Sequence, residues 1–189
     1  MQKIETARLY LRQFTPDDLD DLYHIYSDSA VMKYLTRGVR NREETAADLF
    51  GIIADWEKHG FGLWAVVNKE NNQLIGDGGL RFLGKTPEVE VGYVLAKAYW
   101  GKGLAAEVAA ASLKYGFEVL KLEKIVAVAD TENTASRRVM EKVGMKYQHN
   151  FDYCDRDRVY YAISRETYQP KIEIFLVGHR NLNDTDALS

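Results

Sequence analysis

Seven residues in mid-chain, Tyr99-Trp100-Gly101-Lys102-Gly103-Leu104-Ala105, set two glycines and a lysine directly before an alanine-rich apolar stretch. The chemistry this suggests is anion binding. A helix opening at Gly103 leaves its first N–H groups without intrahelical partners and puts the positive end of its dipole there. With no Cβ at Gly101 or Gly103, a bulky anion such as a phosphate can come close to those groups, and Lys102 adds a charge. The same glycines could equally make a tight turn and nothing more, so the flanking elements have to separate the two readings.

Two phosphate patterns compete for this stretch. Gly101-Lys102-Gly103-Leu104-Ala105-Ala106 satisfies the dinucleotide pattern G-x-G-x-x-G/A, with Asp130 near the position of a ribose-binding acid. Against it, Ala96-Lys97-Ala98-Tyr99-Trp100 separate the first glycine from the preceding strand. The chain beyond is also too short for the second half of a doubly wound sheet. The nucleoside-triphosphate loop fails outright, because no Lys-Ser or Lys-Thr follows a G-x-x-x-x-G spacing.

The elements that must position the turn are legible. Glu88-Val89-Glu90-Val91-Gly92-Tyr93-Val94-Leu95 reads as a strand before it. Leu104, Val108, Ala111, Tyr115 and Val119 recur at helical spacing over 104–120 after it. A strand over 124–129 follows. Asp130 to Ser136 then leads into a second helix, with Asn133 or Thr134 as its cap and Gly144 as its stop.

In this arrangement the chain resembles the GNAT superfamily of acetyl-CoA-dependent N-acetyltransferases, and within it the branch of ribosomal-protein N-terminal acetyltransferases. The motifs that carry the likeness are Glu90-Val91-Gly92-Tyr93, Trp100-Gly101-Lys102-Gly103-Leu104-Ala105, Asn133-Thr134-Ala135-Ser136 and Glu141-Lys142-Val143-Gly144. The opening Glu5-Thr6-Ala7-Arg8-Leu9-Tyr10-Leu11-Arg12 is similar as well. The likeness extends over about residues 4–168. One departure is Ala98, where the wider superfamily often has Gln or Arg; backbone amides do most of the diphosphate binding, so this reads as branch variation.

The resemblance implies an α/β fold: a mixed, partly antiparallel sheet with helices on both faces. It implies acetyl-CoA as co-substrate, no metal, and a primary amine as acceptor, with a protein or peptide N-terminus favoured over a polyamine, amino acid or aminoglycoside. The turn residues Trp100, Gly101, Lys102, Gly103, Leu104 and Ala105 would hold the diphosphate. Tyr93, Val94 and Leu95 would hold the pantetheine arm as an added strand would be held. A backbone N–H near Val94 would stabilise the oxyanion. Glu90 is the expected base; it lies on the strand face of Gly92, and its bland alternative is a structural ion pair. Ser136 is the expected acid for the leaving sulfur, against the ordinary role of a serine near a helix start. Asn133 is expected to contact the cofactor, with a helix cap as the alternative. Tyr93, Tyr153, Tyr160 and Tyr161 are further possible acids, but with 12 tyrosines in the chain packing is the default.

The other reactive types offer little. Cys154 is a lone cysteine with no histidine beside it, and His24, His59, His149 and His179 show no metal-ligand spacing. Arg137 and Arg138 could reach a 3′-phosphate or simply face solvent. The acceptor groove that the resemblance implies would carry Asp17, Asp18, Asp20, Asp21, Trp64, Asp77, Tyr153, Asp155 and Asp157. Two other classes of function stay open: an acyl-CoA-binding module without turnover, and a nucleotide-dependent oxidoreductase.

Composition sets the frame. At 189 residues, 46% hydrophobic and 28% charged, the chain is expected to form one domain with a sizeable core. A net charge of −3 argues against a nucleic-acid partner, and no apolar run is long enough for a membrane span. A cytoplasmic location is expected from the single cysteine and the missing signal-type apolar run.

Element signals elsewhere predict a strand over 8–14 and a helix from Pro16 to about Tyr26. A second helix is expected over 43–59, a hairpin over 62–68 and 74–82, and two final strands over 145–155 and 158–164. The expected domain spans 1–169. The extension 170–189 contains Lys171-Ile172-Glu173-Ile174-Phe175-Leu176-Val177, which alternates as a strand should. A bare apolar strand has to be paired, either on its own domain's edge or across a homodimer, and the dimer is the favoured expectation.

Overall fold

The structure, a computed structural model, describes residues 3–153, 156–170, 172 and 174–177. Its strands are β1 (Lys3–Glu5), β2 (Leu9–Arg12), β3 (Leu63–Asn68), β4 (Leu74–Phe82), β5 (Val89–Leu95), β6 (Lys124–Asp130), β7 (Lys146–Asp152), β8 (Asp157–Ser164) and β9 (Phe175–Val177). Its helices are α1 (Leu19–Tyr26), α2 (Ser29–Met32), α3 (Arg42–His59), α4 (Leu104–Lys114) and α5 (Thr134–Lys142). The strands form one sheet in the order β7-β8-β6-β5-β4-β3-β2-β1-β9. The sheet is mixed, as expected, and mostly antiparallel: among the described strands only β5 and β6, joined through α4, run parallel. That single βαβ unit is all that the dinucleotide reading could use, and it lacks the doubly wound sheet such a site requires.

Helices cover both faces, and β4 shows why. Successive residues of a strand point to opposite sides. Asp77 meets Tyr26 of α1, whereas a Cβ on Gly78 would collide with Val108 of α4. Gly78 is therefore the residue that lets α4 lie close on the sheet. α4 is buried almost all round, from Ala106 through Leu113, which fits its alanine-rich, apolar sequence. Instead of running on as an α-helix to 120, the chain leaves α4 through a π-helical turn, Tyr115–Val119, with Leu120 N–H bonding Tyr115 O at 3.1 Å.

Local signals explain the other boundaries. α3 opens on a reciprocal box in which Asn41 and Glu44 each accept the other's backbone N–H at 2.9 Å, and it stops at Gly60, φ 73°. The turn before α1 is held by Asp18, which accepts from Thr15 N–H at 2.8 Å and pairs with Arg12 at 2.6 Å.

The tail corrects one expectation. β9 pairs antiparallel with β1, Ile4 opposite Leu176, and Ile174 is buried in the core. Residues 175–177 thus pair with an edge of their own sheet, the other of the two pairings expected for this strand, so the strand no longer argues for a dimer. Among the described residues of this segment the strand covers Phe175–Val177.

Candidate active site

The turn after β5 is built as its glycines require. A short 3₁₀ turn, Lys97–Tyr99, brings Trp100 back so that its indole Nε1 donates to Leu95 O at 2.7 Å. Gly101 and Gly103 both lie in the left-handed region, φ 72° and 78°, where residues with a Cβ are strained. Gly103 is the N-cap of α4 and no side chain caps the helix, so the N–H groups of its first turn are free for a ligand. A Cβ on Gly101 would meet nothing within 4 Å. A Cβ on Gly103 would sit 3.6 Å from Arg8 Nη2 and 3.9 Å from Lys142 Nζ. Open backbone donors at a positive helix end, ringed by cations, fit a diphosphate group.

β5 keeps register with β4 over its whole length, from Val89 opposite Phe82 to Leu95 opposite Gly76. Its pairing with β6 is confined to Glu90 opposite Val126. Tyr93, Val94 and Leu95 lie beyond that point, on an edge that the neighbouring parallel strand does not occupy. Main-chain groups of such an edge can bind an extended arm.

The two faces of β5 carry different chemistry. On the α4 side, the Tyr93 hydroxyl lies 3.0 Å from Ser136 Oγ and donates to Ser136 O at 3.1 Å. Burial holds the Tyr93 phenol well above its usual pKa, and the Ser136 hydrogen bond offsets this only in part. Ser136 itself does not cap α5. Asn133 does, its side-chain oxygen accepting from Ser136 N–H at 3.1 Å, which is the helix cap given above as the alternative to a cofactor contact.

On the α1 side, the buried carboxylate of Glu90 accepts from Arg81 Nε at 2.8 Å. Asp77, opposite Val94, is also buried and accepts from the Tyr26 hydroxyl at 2.8 Å. Burial raises the Asp77 pKa to about 6, partly offset by the Tyr26 hydrogen bond and the positive charge of Arg81, while Asp48 adds to the rise. Arg158 ties this face to the segment after α2, donating to Tyr34 O at 3.1 Å and Thr36 Oγ1 at 3.2 Å; among the described residues its buried Nε has no partner. Where the start of β5 meets β7 and β8, a cavity of ≈ 460 Å³ opens whose lining includes Leu83, Glu88, His149, Phe151, Tyr153 and Tyr160 but not Glu90. Tyr160 donates to Glu88 at 2.7 Å and stacks on His149.

Several expected groove residues lie elsewhere. Trp64 is 1% exposed and packs on Trp56 and Tyr115, in the core. Asp18 is engaged by Arg12. Tyr161 is buried and donates to Glu141 at 2.9 Å, which removes it from the possible acids. Cys154, Asp155 and His179 lie outside the described residues. Among the described residues no three His, Cys, Asp or Glu side chains converge to hold a metal ion, and no helix is long and apolar enough to cross a membrane. Sequence reasoning did not foresee that Arg8 and Lys142 lie near Gly103, or that Tyr26 and Arg81 engage the carboxylates of Asp77 and Glu90.

Known proteins share the sequence pattern and the fold. Residues 8–146 match the acetyltransferase (GNAT) domain. "Uncharacterized N-acetyltransferase YnaD" of Bacillus subtilis (strain 168) is 34% identical over 172 residues, covering 87% of this chain and 98% of its own. A GNAT-family acetyltransferase from Bacillus anthracis has a crystal structure that matches with TM-score 0.77 at 35% identity, over 87% of this chain and 99% of that one. Ribosomal-protein-S5-alanine acetyltransferase from Vibrio fischeri shares the fold, TM-score 0.71 at 17% identity, over 89% of this chain and 99% of its own. With the glycine turn, the open strand edge and the two-sided strand all in the matched region, this chain belongs to the GNAT family and is an acetyl-CoA-dependent N-acetyltransferase.

Proposed function

We propose that this acetyltransferase moves the acetyl group directly from acetyl-CoA to a primary amine, with a peptide or protein N-terminus as the favoured acceptor. The observation that carries direct transfer is the construction of β5. Its edge beyond Glu90 is free of β6, with the Glu90 and Asp77 carboxylates on one face and the Tyr93–Ser136 hydroxyl pair on the other. A thioester lying on that edge would have proton-accepting groups on the amine side and proton-donating groups on the sulfur side.

In this reading the N–H groups of Gly101 to Ala105 hold the diphosphate, with Trp100 fixing the turn through Leu95. Main-chain groups of Tyr93, Val94 and Leu95 align the pantetheine arm. Glu90 takes the ammonium proton, and the amine then attacks the thioester carbon. A backbone N–H near Val94, on the edge that β6 leaves open, receives the developing oxyanion. As the C–S bond breaks, the thiolate takes a proton from the Ser136–Tyr93 pair, which the second nitrogen proton restores; one proton is released per turnover. The peptide preference rests on the motif resemblance to the ribosomal-protein branch.

Release of CoA thiol, followed over a panel of peptides with different N-termini, free amino acids, polyamines and aminoglycosides, tests this. Fastest turnover with peptides is the expected result. Turnover confined to polyamines or aminoglycosides would replace the peptide assignment. Acetyl-CoA binding with no thiol release across the whole panel would make the protein an acyl-CoA-binding module.

A further inference from the structure

α4 carries a carboxylate where a diphosphate site should least tolerate one. Glu107 lies in the first turn of the helix, close to the free N–H groups after Gly103, and is 3% exposed. An unpaired negative charge there would oppose a bound anion and would be costly to bury. It is fully engaged instead. Glu107 Oε1 accepts from the Thr6 hydroxyl and from Arg8 N–H at 2.9 Å. Its Oε2 accepts from Arg8 Nε at 2.9 Å and lies 2.7 Å from Arg8 Nη2. Burial favours the neutral acid, yet these contacts win and hold the Glu107 pKa below its ordinary value.

The consequence is a clamped arginine. Arg8 also donates from Nη1 to Lys102 O at 2.7 Å, so its guanidinium bridges the helix to the carbonyl between the two glycines. Of its five N–H donors, Nε, one on Nη2 and one on Nη1 are taken. One N–H on each terminal nitrogen remains, the side chain is half exposed, and Nη2 lies 3.6 Å from the empty Cβ position of Gly103. Lys142, at the end of α5, brings a second exposed cation to 3.9 Å from the same point. Lys102 is part of the turn itself. Arg8, Lys102 and Lys142 against Glu107 leave a net charge of +2 beside the turn, matching two ionised phosphates.

We propose that Arg8, held by the buried Glu107, and Lys142 are side-chain ligands of the CoA diphosphate, completing a site whose other donors are backbone N–H groups. This rests on the reading that acetyl-CoA lies on the turn. Arg8 serves twice: it neutralises Glu107 and presents two preset donors. The two cations reach the turn from different elements, Arg8 from just before β2 and Lys142 from the end of α5, so the diphosphate would also tie those segments together.

Calorimetric titration of the full chain with CoA, dephospho-CoA and pantetheine tests the assignment. Charge-assisted hydrogen bonds of this kind predict about 10- to 100-fold weaker CoA binding for Arg8→Gln and about 3- to 10-fold for Lys142→Ala. Dephospho-CoA should show the same losses, and pantetheine none. Lys142→Ala, at an exposed position, guards against a folding defect in Arg8→Gln, and the melting temperature of each unliganded variant gives a second check. Unchanged CoA affinity in both variants overturns the proposal. Losses seen with CoA but absent with dephospho-CoA also overturn it, because the cations would then serve the 3′-phosphate. A wild-type chain that binds none of the three ligands would instead refute the underlying placement of acetyl-CoA.

Discussion

On the α4 side of β5, the groups that would meet a ligand are mainly backbone donors. They come from one continuous stretch, residues 93–105, and two left-handed glycines fix their geometry. On the α1 side they are side chains from several elements: Tyr26 from α1, Asp77 and Arg81 from β4, Glu90 from β5. The first half is preorganised by backbone conformation and suits a ligand shared by a whole family. The second is held by ion pairs and hydrogen bonds among residues far apart in sequence, so it can change one side chain at a time. In the function proposed above, cofactor recognition and acceptor choice would thus be separated by the thickness of one strand.

The largest effect expected from breaking this division is at the turn. Gly103→Glu forces a Cβ into a left-handed position and puts a carboxylate where the diphosphate belongs. Acetyl-CoA raises the melting temperature of the wild type by mass action, and that rise should vanish in the variant. A full thermal shift in Gly103→Glu would mean that the turn is not the binding site.

Glu90→Gln strikes the other half. With the base role assigned to Glu90, kcat falls by about 10²- to 10⁴-fold while the affinity for CoA stays within about twofold. Steady-state kinetics beside calorimetry would read both. Equal losses in binding and turnover would make the Glu90–Arg81 pair a structural tie.

Ser136→Ala should cost less, about tenfold in kcat, because Tyr93 remains as a neighbouring hydroxyl and binding is untouched. Removing both hydroxyls with Tyr93→Phe should then cost more than either change alone. Equal rates for the wild type and the double variant would take the pair out of the reaction.

The smallest expected change is one of stability, and it carries a sign. The folded-state pKa of Asp77, about 6, lies above the ordinary 3.8, so the native state holds this proton more tightly than the unfolded chain. Its contribution is most favourable below pH 3.8 and is lost as pH rises to about 6, a cost of up to about 3 kcal/mol above that pH. Asp77→Asn carries no such cost. It should therefore raise stability by about 1–3 kcal/mol at pH 8, with the gain shrinking toward pH 4, as denaturant titrations at the two pH values would show. A gain independent of pH would contradict the burial of a titrating carboxylate.

The same division decided what could be read from the sequence. Gly101 and Gly103 before an alanine-rich helix announce a close backbone approach, and the period-2 run through Tyr93 places the strand edge, because both are local signals. Glu90 and Ser136 were found by motif, and their opposite faces follow from strand alternation once β5 is known. Arg8 reaches the turn across 94 residues through its bond to the Lys102 carbonyl, and Tyr26 reaches Asp77 across 51. No local pattern encodes such meetings; they are products of sheet order. Trp64 was misread for the same reason, since an aromatic in a strand can face the core or a groove, and its burial against Trp56 is settled only by where α3 ends. The pairing of the tail with β1 likewise depends on which edge is left open at the far side of the sheet.

Direct transfer is most sharply tested by the intact mass of the enzyme after mixing with acetyl-CoA alone, followed by addition of an accepted amine. The proposed reaction places no protein nucleophile between thioester and amine. The protein mass should therefore stay unmodified, CoA thiol should appear only when amine is added, and Cys154→Ala should turn over at near the wild-type rate. A stoichiometric acetyl adduct on Cys154 that the amine then discharges would contradict the account and replace it with a covalent route.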